Sequence, residues 1–341
     1  MKRNSVFAAT AATALTIAFS APASAAPLSA AEVLSLFNGV TAGDMSSSQE
    51  VEGRLYVGGN LTGNTLQVGF KDVTPSDLDE LIVVGDSTIG TINAQNGSDV
   101  TIGGNASGTV ELNGGSQGTR TARIGGSFTG NANQGTVLDG QQANDPNFAA
   151  RFPEIDFAAL EADSAFFATL TGTVFDTSDF NNKKIVGAPD ADGLSVHNAT
   201  LADLAGGGYS IDLNGATTVL INVAGTVGSF GMNALGGTGA VAENVIWNFF
   251  EATSINVGTA IIGSVLAPLA DMTGFGGSTE GSVIARSITL SNGELHSRTF
   301  EGTVPTRSAP PPPPSTIPLP AGLPLLLAGL GGLAILRRRA A

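Results

Sequence analysis

The stretch Gly263–Ala285, GSVLAPLADMTGFGGSTEGSVIA, says nearly one thing twice: Gly-Ser-Val-Leu-Ala from Gly263, then Gly-Ser-Val-Ile-Ala from Gly281, 18 residues on (281 − 263). In extended backbone Val265 and Val283 point one way and Leu266 and Ile284 the other, because side chains alternate along a strand. Both faces are then apolar, and a strand buried on both sides needs stacked neighbours and a second covering layer. Stacked rungs of roughly 18 to 25 residues would set equivalent strands in register at about 4.8 Å, with Val265 on Val283. The expected fold is therefore mainly β, a right-handed parallel β-solenoid. A β-sandwich with alternating strands at similar spacing is the competing fold, but it gives no reason for a phrase to return with the same residues.

The same texture extends towards the N-terminus. "LYVGGNLTG" at Leu55, "LIVVGDSTIG" at Leu81, "VTIGGNASG" at Val100 and "ARIGGSFTG" at Ala122 place glycines at Gly58, Gly85, Gly103 and Gly125, in steps of 27, 18 and 22. Gly makes up 46 of 341 residues, among Val, Ile, Thr, Asn and Ser and without a collagen period. Tight turns need such residues, because Gly and Asn enter positive φ cheaply. Two helices interrupt the pattern. Ser29-Ala30-Ala31-Glu32 is a capping box opening a short helix to Phe37. Asp156–Leu170, DFAALEADSAFFATL, is a longer helix, capped by Asp156, whose Phe157, Leu160, Phe166, Phe167 and Leu170 give it a broad apolar side. It alone has enough apolar surface to lie along the solenoid as its lid.

Residues 1–25 read as a signal peptide. Lys2 and Arg3 precede an uncharged, Ala-rich stretch that ends in the cleavage pattern Ala23-Ser24-Ala25. The body, 26–302, has no cysteine and must rely on a buried core or a regular backbone ladder. A linker, 303–316, contains Pro310–Pro314, a stiff polyproline spacer of roughly 15 Å. The tail, 317–341, holds 20 uncharged residues from Ile317 to Leu336, enough for about 30 Å of transmembrane helix, and then Arg337, Arg338 and Arg339 as a basic stop. By the positive-inside rule these arginines stay cytoplasmic and the body lies outside. Without Lys2, Arg3 and the three terminal arginines the chain has 15 − 5 = 10 basic against 29 acidic residues, a net charge of −19. Nucleic acid and anionic lipid are thereby disfavoured as partners.

Signals for chemistry are sparse. His197 and His296 are the only histidines, and with no cysteine and no His-x-x-x-His spacing a zinc site lacks ligands. No Gly-x-Ser-x-Gly elbow sits between a strand and a helix, and no Gly-Lys-Ser/Thr follows the Gly-Gly phrases. No catalytic residue and no cofactor are assigned. Asp190-Ala191-Asp192-Gly193, near Asp176 and Asp179, has the spacing of the start of a Ca²⁺ loop but lacks the third oxygen ligand and the later Glu. His296 shares a strand face with Glu294 and Arg298, a polar cluster on the last rung. Ice binding asks for a flat face of regularly spaced threonines, and Thr88, Thr91, Thr101 and Thr109 do not settle into one column.

The body, about Leu34 to Gly302, resembles the choice-of-anchor A domain of bacterial surface proteins. The resemblance rests on VEGRLYVGGN at Val51, PEIDFAAL at Pro153, NVIWNF at Asn244, GSVLAP at Gly263, GSVIA at Gly281, GELH at Gly293 and FEG at Phe300. It implies an adhesive, non-enzymatic domain, and its arrangement of strands and lid is similar in fold to the β-solenoid ice-binding proteins. The tail resembles a VPLPA-type sorting signal, related to PEP-CTERM signals. Ile317, Pro318, Leu319, Pro320 and Ala321 stand for the motif, with Ile317 in place of the usual Val. That resemblance implies an exosortase-type processing enzyme as partner, in an organism that exports polysaccharide. The expected protein is a cell-surface adhesin or matrix component, membrane-anchored before processing, with exopolysaccharide or matrix components as partners. Two alternatives remain: a carbohydrate-active enzyme of the parallel β-helix type, and an ice-binding-like solenoid.

Overall fold

The computed structural model describes residues 27–71, 77–116, 118–307 and 337–338. The chain separates into two compact units, 1–304 and 305–341. The predicted signal with Ala25, the motif Ile317–Ala321, the apolar run and Arg339 lie outside the described residues; Arg337 and Arg338 lie within them and are exposed. Among the described residues no helix is long and apolar enough to cross a membrane, so the expected transmembrane helix has no counterpart there.

The doubled phrase stacks as its residues dictate. Val265 pairs in parallel with Val283, Leu266 with Ile284 and Ala267 with Ala285. The two valines belong to the inner core, whereas Leu266 and Ile284 join a second apolar cluster with the helices. Every named strand pair is parallel, and one sheet path among the described residues contains twelve strands. From one end it runs Thr136–Leu138, Thr121–Ile124, Val100–Ile102, Leu81–Val83, Leu55–Val57 and Gly39–Thr41, then Val283–Leu290, Ser264–Gly274, Val245–Asn248, Thr218–Ala224, Leu194–Thr200 and Thr173–Val174.

Stack order and chain order part company at the centre. The chain enters at Gly39–Thr41, climbs to one end at Leu138, crosses to the other end at Thr173 and climbs back, until Val283–Ala285 pairs with Gly39–Thr41. Two arms from different halves of the chain thus meet at a seam. Asn38 binds the seam: its Nδ2 donates to the carbonyls of Gly281 (2.9 Å) and His296 (3.0 Å), and its Oδ1 accepts from the Gly53 N–H (3.1 Å). Buried Arg54 adds a hydrogen bond to the Leu36 carbonyl at 2.9 Å, with its guanidinium 5.9 Å from the Phe37 ring centre.

The corners of the first arm correct the expected glycine frame. Val57 pairs with Val83 and Val83 with Ile102, so Val84 stands level with Gly58 and Gly103, and Gly85 stands level with Gly59, Gly104 and Gly126. The invariant position is the second glycine, and the steps are 26, 19 and 22 (85 − 59, 104 − 85, 126 − 104). Its cause is a ladder of side-chain oxygens. Asp44 accepts from the Asn60 N–H (2.7 Å), Asn60 from Asp86 (2.9 Å), Asp86 from Asn105 (2.6 Å) and Asn105 from Ser127 (3.0 Å). A Cβ at Gly59 would fall 2.4 Å from Asp44 Oδ1, and one at Gly104 2.1 Å from Asp86 Oδ1.

The lid is built from two helices. Phe157–Phe167, shorter than the expected Asp156–Leu170, is capped by Asp156, which accepts from the Ala159 N–H at 3.1 Å. Ala30–Leu36 carries the expected capping box and supplies Ala30, Val33 and Leu34 to the same cluster, a covering role its short sequence did not announce. Asp163 joins the helices by accepting from the Ala30 N–H at 3.0 Å. Beneath the C-terminal half of the lid, Asn248 Nδ2 donates to the Ser164 carbonyl (2.9 Å) and to Asn222 Oδ1 (2.8 Å), and Asn222 Nδ2 donates to the Phe167 carbonyl (2.8 Å).

Candidate functional site

After each corner the chain turns onto a second face, where alternation sends one side chain into the core and the next outward. On this face Met45, Leu61, Met272 and Ile288 point inward and are buried. The outward residues between them are small and polar. Ser229 pairs with Asn256, and Asn256 with Thr273; Thr289 pairs with Ser46, and Ser46 with Thr62; Ser107 pairs with Thr129. The joins follow in the same register: Met272 pairs with Ile288, one residue before Thr273 and Thr289, and Ser87 bridges Leu61 and Ala106, which sets Thr88 between Thr62 and Ser107. The result is one column, Ser229–Asn256–Thr273–Thr289–Ser46–Thr62–Thr88–Ser107–Thr129. At one strand spacing per residue it spans about 40 Å. Five of its members, Thr88, Thr129, Asn256, Thr273 and Thr289, are exposed and the others half-buried.

The four threonines weighed in the sequence do fall apart, into three places. Thr88 is in this column, Thr91 and Thr109 share a column with Thr65 on the third face, and Thr101 is buried under the lid with its hydroxyl donating to Asp79. The column itself was nevertheless written in the sequence. Gly-Asx/Ser-x-Ser/Thr occurs at Gly43-Asp44-Met45-Ser46, Gly59-Asn60-Leu61-Thr62, Gly85-Asp86-Ser87-Thr88, Gly104-Asn105-Ala106-Ser107 and Gly126-Ser127-Phe128-Thr129. The first polar residue staples the corner and the second, two positions on, faces solvent. Charge lies alongside: Asp44 and Asp86 in the ladder, and Asp271, which accepts from Arg286 Nε (2.8 Å) and Ser287 Oγ (2.6 Å). The last two hydrogen bonds and the Arg286 charge hold the Asp271 carboxyl below its ordinary range against the opposing effect of burial, the largest single influence on it.

The remaining candidate residues are engaged locally. Asp190 Oδ1 accepts from the N–H groups of Asp192 (3.0 Å) and Leu194 (2.9 Å), Asp176 from Ser178 (3.0 Å) and Asp179 from Asn181 (2.9 Å), so each carboxylate closes its own turn. Among the described residues no group of three or more His, Asp or Glu is placed to hold a metal ion. His197 Nε2 lies 3.0 Å from Ser195 Oγ and its Nδ1 3.0 Å from Thr173 Oγ1. This pair is buried, burial lowers the His197 pKa, and a threonine stands where a nucleophile's triad would place a carboxylate. His296 does form the predicted cluster: Nδ1 is 2.6 Å from Glu280 and Nε2 3.3 Å from Glu294, with Arg298 Nε 3.4 Å from Glu280. Glu52 accepts from the Ser297 N–H at 2.9 Å. These carboxylates are spent on partners within the seam.

Residues 30–297 match the family described as "Putative Ice-binding-like adhesive domain". Among solved structures, an ice binding protein from an Antarctic Biological Consortium is 13% identical with a TM-score of 0.35, the match covering 81% of this chain and 95% of that one. The ice-binding protein of the Antarctic ascomycete Antarctomyces psychrotrophicus is 15% identical with a TM-score of 0.27, covering 80% and 97%. No curated protein matches the chain.

Proposed function

Because the chain belongs to the ice-binding-like adhesive domain family, we propose that it is an exported, surface-displayed, non-enzymatic adhesin whose ligand lies along the Ser/Thr/Asn column of the second face. One observation supports this reading: side chains that donate and accept hydrogen bonds recur at every rung from Ser229 to Thr129, at the spacing of the parallel backbone pairing between rungs. Such a face suits an extended, hydroxyl-rich polymer, since each rung offers a donor and an acceptor at a repeat of about 4.8 Å. Exopolysaccharide or matrix glycan is the favoured class. The signal peptide, the proline-rich linker and the sorting signal would deliver and tether the domain, with an exosortase-type enzyme acting near Ile317–Ala321.

Ice is the second reading, favoured by the regular threonines and by the family. The carboxylates of Asp44, Asp86 and Asp271 beside the column weigh against it, because charged groups hold their own hydration shells and match a neutral water lattice poorly. Glycan arrays probed with the full chain, beside Thr62→Arg and Thr88→Arg, test the proposal. Binding lost in both variants at unchanged melting temperature is the expected result. Binding retained in both would overturn it, and thermal hysteresis lost in both, without glycan binding in the parent, would assign the face to ice.

A further inference from the structure

The outward residues under the lid form one column through the whole sheet: Leu138, Arg123, Thr101, Ile82, Tyr56, Val40, Ile284, Leu266, Asn248, Asn222, Asn198 and Val174, each paired with the next. Its ends are the two edge strands of the sheet path, Thr136–Leu138 and Thr173–Val174. Each edge presents backbone N–H and C=O groups on a side where the path has no further strand, the usual template for pairing with another chain. Both terminal side chains are apolar and open to solvent, Leu138 at 40% and Val174 at 83% exposure. Phe180 (61%) and Val186 (47%) are also exposed on the same terminal turn, beyond Val174 in the chain.

We propose that copies of this chain join head to tail, the Thr136–Leu138 edge of one pairing in parallel with the Thr173–Val174 edge of the next. Three features fit a second copy. All strands in the stack are parallel, so the two edges have the same polarity and are the two halves of a ladder the chain already makes between every neighbouring pair. Placing Leu138 on Val174 continues the outward column, and it also sets Val137, level with Ala122 of the inner core, on Thr173, level with inward-facing His197. Inside therefore meets inside. The chain's own Pro310–Pro314 segment is a poor occupant, since proline has no N–H to give to a ladder. The contact is heterologous, so nothing limits it to a dimer.

The absence of cysteine from the sequence makes the test direct. Within one chain, positions 138 and 174 lie at opposite ends of the twelve-strand path, about 50 Å apart. Between docked copies their Cα atoms would lie about 4.8 Å apart, within disulfide reach. The full chain in detergent solution, carrying both Leu138→Cys and Val174→Cys, should give a ladder of dimers, trimers and longer species on oxidation. An equal mixture of the two single variants should give a dimer and nothing longer, and each single variant alone should give none. Dimers from either single variant alone, no ladder from the double variant, or an equal ladder when Val227→Cys replaces Val174→Cys would each overturn the proposal.

Discussion

Asn60 links the rungs on both sides of it. Its side-chain Oδ1 accepts from the Asp86 N–H on the next rung, and its backbone N–H donates to Asp44 Oδ1, one rung below. The alternation Asp44, Asn60, Asp86, Asn105 puts a neutral amide on the rung between two carboxylates, holding them about two strand spacings apart. Asn60→Ala should cost about 1 kcal/mol by orphaning the Asp86 N–H, a fall of about 2–4 °C in melting temperature for a domain of this size. Asn60→Asp keeps the acceptor but puts a third carboxylate between Asp44 and Asp86. Its loss should be recovered at 1 M salt, where the screening length is about 3 Å, whereas the alanine loss should not; melting curves at two salt concentrations separate them. The ladder was legible only in part. Gly-Gly is conspicuous in the sequence, but the informative unit is Gly-Asx-x-Ser/Thr, whose two polar positions mean opposite things.

Among the elements, the helix Phe157–Phe167 shows how far apolar content carries and where it stops. Five apolar side chains in a short window announced a lid, and Leu160 and Phe167 are indeed buried in the outer cluster. What the window did not announce is that the lid rests partly on amides. Asn222 and Asn248 read as strand residues with no stated purpose, and their partners, the Phe167 and Ser164 carbonyls, are 55 and 84 residues away. Phe167→Ala should lower stability by about 3–5 kcal/mol through the cavity it leaves, measurable by denaturant unfolding. Phe166→Ala should cost clearly less, because Phe166 is only half-buried. Equal losses would place the weight of the lid elsewhere.

At the scale of the molecule the seam is the least legible feature. Local repetition reveals neighbours such as Val265 and Val283, which share residues and lie close in sequence. Nothing in Gly39-Val40-Thr41 echoes Val283-Ile284-Ala285 strongly enough to reveal that they pair. The seam is also where protonation enters. Burial lowers the His296 pKa, but a hydrogen bond to Glu280 and the Glu280 charge, a hydrogen bond to Glu294 and the charge of Glu52 outweigh it and hold the imidazole above its ordinary 6.5. A folded pKa above the unfolded one means that this contribution is complete below pH 6.5 and is lost as pH rises through the folded value. Melting temperature should therefore decline as pH rises above 6.5, and His296→Gln should flatten the decline. Glu50, beside the same cluster, is raised above the ordinary carboxylate range by its own burial and then by the charges of Glu294 and Glu52, against the opposing charges of His296 and Lys71.

The pairing of Val40 with Ile284 spans 244 residues (284 − 40). Ribosomes deliver the N-terminal half first, so the strand Gly39–Thr41 must wait with one side bare until nearly the whole domain has been made. The finished arm is meanwhile sticky, and every nascent chain in the neighbourhood offers a parallel strand of the same kind. Premature termination before Val283 would leave that state permanent. A cell making this protein has reason to keep it in a chaperone's hands, unfolded, until the last rung arrives.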